Sequence, residues 1–180
     1  LLDEPLSNLD AHLRDEMRDL ILTIQRDLKV TTIFVTHDQE EAVLLADQVA
    51  LIFDGILQQY ASPDEFYQRP ISERAARFFG GVNFIPAERK NGSVETDIGT
   101  FNFNALHNDT APSGTTTLTI RPEQIRLNEG HDLNSVKGQV RERIYVGTYT
   151  RYKITLGNHE IEAIRSADLP GLINAGDEID

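Results

Sequence analysis

Leu1-Leu2-Asp3-Glu4-Pro5-Leu6-Ser7-Asn8-Leu9-Asp10 sets two apolar residues against two carboxylates and then a proline-led turn. The pattern predicts a buried strand whose carboxyl end delivers the acids to the crevice where open parallel sheets bind ligands. Consecutive residues on a strand project to opposite sides, so Asp3 and Glu4 are expected to have different tasks. Ser7 or Asn8 is the expected helix cap in the turn that follows. Beyond it Leu9, Leu13, Met17, Leu20, Ile21, Ile24 and Leu28 recur at steps of three and four and fall on one helical face. Thr31-Thr-Ile-Phe-Val-Thr36 then reads as a second buried strand, and Glu40 to Ala46 as a second helix. Strands separated by helices predict parallel pairing and an α/β layer.

Working outward, Val49 to Phe53 and Ile56 to Tyr60 flank Asp54-Gly55, the strongest short-range hairpin signal. Ser62-Pro63-Asp64-Glu65 opens a short helix with a cap, a first-turn proline and early acids, and Ser72 to Phe79 forms a last helical piece ending at Gly80-Gly81. After that pair the texture changes to short alternating segments. Val82 to Arg89, Ser93 to Thr96, Thr100 to Phe103, Thr115 to Arg121, Val136 to Gly147, Thr150 to Leu156 and His159 to Arg165 are expected to be antiparallel strands of a small barrel or sandwich. Asn104 to Gly114 is expected to be a surface loop, and Gly176 to Asp180 the entry to a further strand. The expected domains are therefore residues 1–80 and 81–180.

Composition bounds the function. The chain has 180 residues, 39% hydrophobic and 26% charged, with no Cys, which fits a globular protein of one or two domains without a disulfide framework. Its longest wholly apolar run is about the length of Val49 to Phe53, far short of the roughly 20 residues that span a bilayer. No export signal opens the sequence, so a cytosolic location is the expectation. A net charge of −12, with acids outnumbering bases in both halves, argues against nucleic acid as a partner, because Lys and Arg supply most phosphate affinity.

Chemistry concentrates in Asp3-Glu4 and Thr36-His37-Asp38. In nucleotide hydrolysis one acid can hold Mg²⁺ through water while a second polarises the attacking water, and a His on the adjoining strand end can reach the terminal phosphate. Each piece also has a bland reading. Acids favour helix starts, and His37-Asp38 can simply cap a helix. The joint pattern, with both pieces placed after apolar strands and before amphipathic helices, favours the functional reading.

Leu1 to Asp10 resembles the Walker B strand and D-loop of ABC ATPases, with Asn8 in place of the commoner Ala, and Val35-Thr36-His37-Asp38-Gln39-Glu40-Glu41-Ala42 resembles their H-loop in bacterial importer subunits. Thr119-Ile120-Arg121-Pro122-Glu123-Gln124-Ile125 resembles the signature of the TOBE domain, an OB-like fold attached to importer ATPases. The resemblance implies an α/β fold, the C-terminal part of a P-loop ABC ATPase domain, followed by an antiparallel β, OB-like (TOBE) domain. It implies Asp3 at Mg²⁺, Glu4 as catalytic base, His37 at the γ-phosphate, and Ser7 and Asp10 in the loop that communicates across an ATP-sandwiched dimer. The implied cofactors are ATP and Mg²⁺. The implied partners are a second copy of the subunit, transmembrane permease subunits and, indirectly, a periplasmic or extracellular solute-binding protein, with the chain at the cytoplasmic face of the bacterial inner membrane.

No Gly-x-x-x-x-Gly-Lys-Ser/Thr occurs, so the loop that would cradle phosphates is not in this sequence. Starting on a core strand suggests a truncated chain, expected to be inactive alone. The competing readings are a regulatory or small-ligand-binding OB-like module and a soluble, non-transport ABC ATPase. Arg121-Pro122-Glu123 has a structural explanation, in which Pro122 ends a strand and the two charges tie a surface turn. Tyr145, Tyr149 and Tyr152 are expected to fill a barrel, and His12, His107, His131 and His159 to face solvent.

Overall fold

The structure is a computed structural model and describes residues 1–90, 92–102, 113–129 and 134–180. The chain divides into two compact units, Leu1–Phe79 and Gly80–Asp180.

In the first unit, strand β1 (Leu2–Asp3) pairs in parallel with β2 (Phe34–Val35), Leu2 opposite Phe34 and Asp3 opposite Val35. The second strand is thus much shorter than the β-branched run predicts. Helix α1 (Ala11–Leu28) connects the two, and α2 (Gln39–Leu45) follows β2. The cap of α1 is neither Ser7 nor Asn8 but Asp10, whose carboxylate accepts from Leu13 N at 2.9 Å. Ser7 is spent inside the turn instead, its hydroxyl donating to Glu4 O at 2.9 Å. Lys29 closes α1 in the left-handed region at φ 51°, where its N–H reaches Gln25 O.

Of the seven residues expected on one helical face, Leu9 precedes α1, Met17 and Ile21 are half-buried, and Leu13, Leu20, Ile24 and Leu28 are exposed, so the expected face is mostly not the covered one. Leu20 and Ile24 are each 46% exposed and Leu28 65%, whereas Arg18 is 7% exposed. The helix turns Arg14, Arg18, Ile21 and Gln25 toward its own unit and leaves an apolar stripe open.

Strands β3 (Val49–Phe53) and β4 (Ile56–Ala61) form the expected antiparallel hairpin. Asp54 and Gly55 both have positive φ, 53° and 77°, the geometry whose twist matches paired strands. Val49 and Leu51 pack with Phe66 of α3 (Pro63–Gln68) and Ala75 of α4 (Glu73–Phe78). Ser62 starts α3 with a full capping box to Glu65, and Ser72 caps α4.

Among the described residues, the second unit contains two four-stranded antiparallel sheets. One orders β7 (Gly99–Asn102), β6 (Ser93–Thr96), β5 (Asn83–Lys90) and β8 (Gly114–Ile120). The other orders β11 (His159–Ser166), β10 (Tyr149–Leu156), β9 (Gly138–Tyr145) and β12 (Glu178–Ile179). Alternation builds the core: Ile85 and Ala87 from β5 meet Tyr152, Ile154 and Leu156 from β10 and Ile161 and Ala163 from β11. Each fully buried Leu- or Ile-sized side chain contributes about 1.5–3 kcal/mol. Gly138 lets β9 pass close over this core, since a Cβ there would lie 2.4 Å from Leu156 Cδ2. The entry to a further strand expected at 176–180 is realised as β12, with Ile179 opposite Gly138.

Several expectations change here. Pro122 does follow the end of β8, opening a 3-10 turn (Pro122–Gln124), but Arg121 and Pro122 are buried rather than tied at the surface. Burial holds the Arg121 guanidinium below its ordinary value. Tyr152 fills the core, while Tyr145 is 63% exposed because it lies at the open end of β9. His159 is not simply solvent-facing: its Nε2 meets both Asp97 carboxylate oxygens, at 2.7 and 2.9 Å. His12 does face solvent. The expected loop from 104 lies outside the described residues up to 112, as do Phe103, His107 and His131.

Candidate functional site

Parallel pairing of β1 with β2 brings the ends of both strands to the same edge, and the chain leaves each by a sharp turn. Glu4 departs first: its N–H donates to Val35 O at 2.8 Å, and its own φ of 44° swings the chain out of the strand. Glu4 O then accepts from the N–H and the hydroxyl of Ser7, at 3.3 and 2.9 Å, and Leu6 O from the N–H of Leu9 at 3.2 Å. The loop is therefore a chain of short-range hydrogen bonds with Leu6 buried beneath it.

On the neighbouring strand, Thr36 and Asp38 organise the turn into α2. Asp38 caps that helix, accepting from Glu40 N at 2.7 Å and Glu41 N at 3.3 Å. The Thr36 hydroxyl accepts from Asp38 N at 2.9 Å and donates to the Glu41 carboxylate at 2.6 Å, which gives the buried Glu41 a partner. Between the two pinned turns, His37 Nδ1 and Glu4 Oε1 meet at 2.8 Å. Glu4, Ser7, Arg14, Thr36, His37, Asp38 and Glu41 line one open cleft.

Of the five residues the sequence singles out, Glu4, His37 and Ser7 come together in this cleft. Asp3 stands one residue back on β1, exposed and outside the lining, and Asp10 is occupied as the α1 cap. Thr36 and Asp38, grouped with His37 in the sequence but given no role there, also line the cleft, whereas Arg14 and Glu41 are cleft residues to which the sequence assigned no chemistry. Arg14 does sit four residues beyond Asp10, where a helix starting at that cap returns its side chain toward the loop.

Glu4 sets the protonation of His37. The hydrogen bond to the Glu4 carboxylate, and then its charge, hold the imidazole above its ordinary value, with Glu41 and Asp38 adding in the same direction. A raised folded value stabilises the pair below about pH 6.5, the unfolded value, and this contribution is lost as the pH rises through the folded value. Glu4→Gln is expected to lower the His37 midpoint. An NMR titration of the ring protons in both chains checks this, and an unchanged midpoint would show that the contact does not persist in solution.

Among the described residues, no group of three or more His, Cys, Asp or Glu side chains could hold a metal by itself. Beside Glu4, which meets His37, the strand end offers the exposed carboxylate of Asp3. That suits Mg²⁺, which keeps several waters and takes one or two carboxylates together with substrate phosphates.

Comparison with known proteins bears on both units. A family profile described as the TOBE domain matches residues 118–180. The Fe(3+) ions import ATP-binding protein of Fusobacterium nucleatum is 36% identical over 99% of this chain and 48% of its own length. The spermidine/putrescine import ATP-binding protein of Pseudomonas fluorescens is 39% identical over 88% of the chain and 44% of its own. The sulfate/thiosulfate import ATP-binding protein of Chromobacterium violaceum is 38% identical over 96% and 44%. The chain thus spans about half the length of the curated relatives it matches.

Proposed function

We propose, on the premise that this chain belongs to the family of ABC import ATP-binding proteins, that it carries half of a catalytic site which couples ATP hydrolysis to solute uptake. The observation that carries the reading is the 2.8 Å contact between Glu4 and His37 across adjoining parallel strand ends. It puts a carboxylate base and an imidazole at one point, where a water and a terminal phosphate could lie side by side.

In this reading Glu4 accepts a proton from the attacking water. His37, with Nδ1–H donating to Glu4, has Nε2–H left to donate to a phosphate oxygen when the ring is protonated, the form that Glu4 favours. Asp3 would hold Mg²⁺ through water, and the ion would supply neutralisation of the phosphate charge. Ser7 fixes the backbone of the turn that presents Glu4. Asp10 contributes by starting α1, so its part in communication across a dimer is exerted through the loop it terminates. Residues 1–80 act as part of a P-loop ABC ATPase domain and 81–180 as its TOBE, OB-like domain. The open stripe on α1 and the two-stranded parallel sheet support this, because parallel sheets are ordinarily covered on both faces. The partners in this reading are a second ATPase subunit and membrane permease subunits at the cytoplasmic face. No helix among the described residues is long and apolar enough to cross a membrane.

The three relatives carry three different solutes in their names at 36%, 39% and 38% identity. Similarity in this stretch does not follow the solute, so specificity is assigned to other components of the transporter. The test is hydrolysis of Mg-ATP. A whole-length protein carrying this chain is expected to turn over ATP, and the 180-residue chain alone, which contains no phosphate-cradling Gly-rich loop, is expected not to. Turnover by the purified chain, abolished by Glu4→Gln, would overturn the division of the site.

A further inference from the structure

The two turns that present Glu4 and His37 belong to different strands, and the contact between their side chains is exposed, with His37 74% and Glu4 46% open to solvent. Exposed ion pairs in water are worth little and hold no geometry by themselves. The Glu4 N–H to Val35 O bond joins the strand ends themselves, and beyond it the side chain that reaches from one turn to the other is Arg14.

Arg14 lies in the first turn of α1 on the side facing the cleft. Its Nη2 donates to Leu9 O at 3.2 Å, the last link in the hydrogen-bonded loop that starts at Glu4 O. Its Nη1 lies 3.7 Å from Asp38 Oδ2, on the residue that follows His37 and caps α2. The Arg14 and Asp38 side chains are only 30% and 28% exposed, so this pair is shielded where the Glu4–His37 pair is not. A planar guanidinium presents donors on both prongs in a rigid fork and so holds a carbonyl and a carboxylate at a fixed separation, which an ammonium on a flexible stem does not impose. A second arginine repeats the link farther along: Arg18, 7% exposed, bridges Asp15 at 3.0 Å and Glu40 at 3.2 Å. Arg18 secures α1 to α2, whereas Arg14 secures the loop to the cap.

We propose that Arg14 is a positioning residue of this site, tying the Glu4–Leu9 loop to the Asp38 cap and so fixing Glu4 against His37. The role at the site rests on the ATPase reading above, while the tie itself is a property of this chain without nucleotide.

His37 reports the tie, because its protonation depends on Glu4 being in place. Glu4, Asp38 and Glu41 all favour its charged form, and Arg14 is the nearby cation. Deleting a cation would by itself raise the His37 midpoint. Releasing Glu4 would lower it. Arg14→Met, which keeps the stem and removes every donor, therefore separates the two effects by sign. In the 180-residue chain, titrated by NMR beside Glu4→Gln, Arg14→Met is expected to shift the His37 midpoint downward, most of the way to the Glu4→Gln value. Arg14→Lys, which restores charge and one contact, is expected to fall between Arg14→Met and the parent.

A midpoint in Arg14→Met that is unchanged or raised, in a chain retaining its amide dispersion, overturns the proposal. If Arg14→Met does not fold, Arg14→Gln is read by the same criterion, since it can keep a contact to Leu9 O but loses the ion pair. A whole-length Glu4→Gln protein that hydrolyses ATP at the parent rate would end the catalytic role of Glu4 and leave the titration result standing. A failed titration would leave the ATPase reading standing.

Discussion

Glu4→Gln in a whole-length ATP-binding protein carrying this chain is expected to cut ATP turnover by about 10²–10⁴-fold, the usual worth of a positioned general base, while ATP still binds. The substitution is chosen for what it preserves. A Gln oxygen can accept from His37 Nδ1 as Glu4 Oε1 does at 2.8 Å, and the backbone contacts of Glu4 to Val35 and Ser7 do not involve its side chain. Geometry is kept, and what is lost is a negative charge and a proton acceptor. An interaction made only in the transition state lowers kcat and kcat/KM together and leaves KM alone. Steady-state kinetics together with a nucleotide-binding titration check it. Unaltered hydrolysis would return Glu4 to the bland reading of an acid near a helix start.

The largest stability effect is expected at Asn83, which is 2% exposed and joins the two sheets of the second unit. Its Nδ2 donates to Ile120 O at 3.0 Å on β8 and to Glu162 O at 2.8 Å on β11, while its Oδ1 accepts from Glu162 N at 2.7 Å. The side-chain amide thus behaves toward β11 as a segment of strand would, in the interior of the second unit. Each buried partner left unsatisfied costs about 1–3 kcal/mol. Asn83→Asp is the sharper probe, because it keeps the shape and turns a carboxylate oxygen toward two carbonyl oxygens. It is expected to cost on the order of 3 kcal/mol or more. Urea unfolding read through amide exchange on β10 measures it, and a loss under about 1 kcal/mol would mean that water replaces the amide.

These two residues differ in how legible they are. Glu4 and His37 stand out in the sequence because acids and a histidine after apolar runs have a chemical meaning before any fold is known. Asn83 is one polar residue in an alternating strand, and its inward placement and its partner 79 positions away are tertiary facts. The same distinction separates the cap of α1 from the hairpin. Asp54-Gly55 fixes its turn through backbone sterics of two residues, whereas Ser7, Asn8 and Asp10 are all competent caps. Asp10 takes the role in the structure, with the Ser7 hydroxyl already donating to Glu4 O within the turn. Periodicity likewise identifies the apolar stripe of α1 but carries no information about what covers it. Arg14 and Glu41 look like members of a solvated helix face, and only the crossing of α1 and α2 over the strand ends brings them into a cleft.

The backbone of Glu4 carries a further consequence. At φ 44° a non-glycine residue sits in conformational territory that costs on the order of 1–3 kcal/mol and persists only where its surroundings impose it. Glycine would sit there without strain but has no carboxylate. Thermal robustness and the proposed chemistry therefore pull position 4 in opposite directions, and a stability-driven redesign of this chain would discard the carboxylate on which the proposed catalytic role depends.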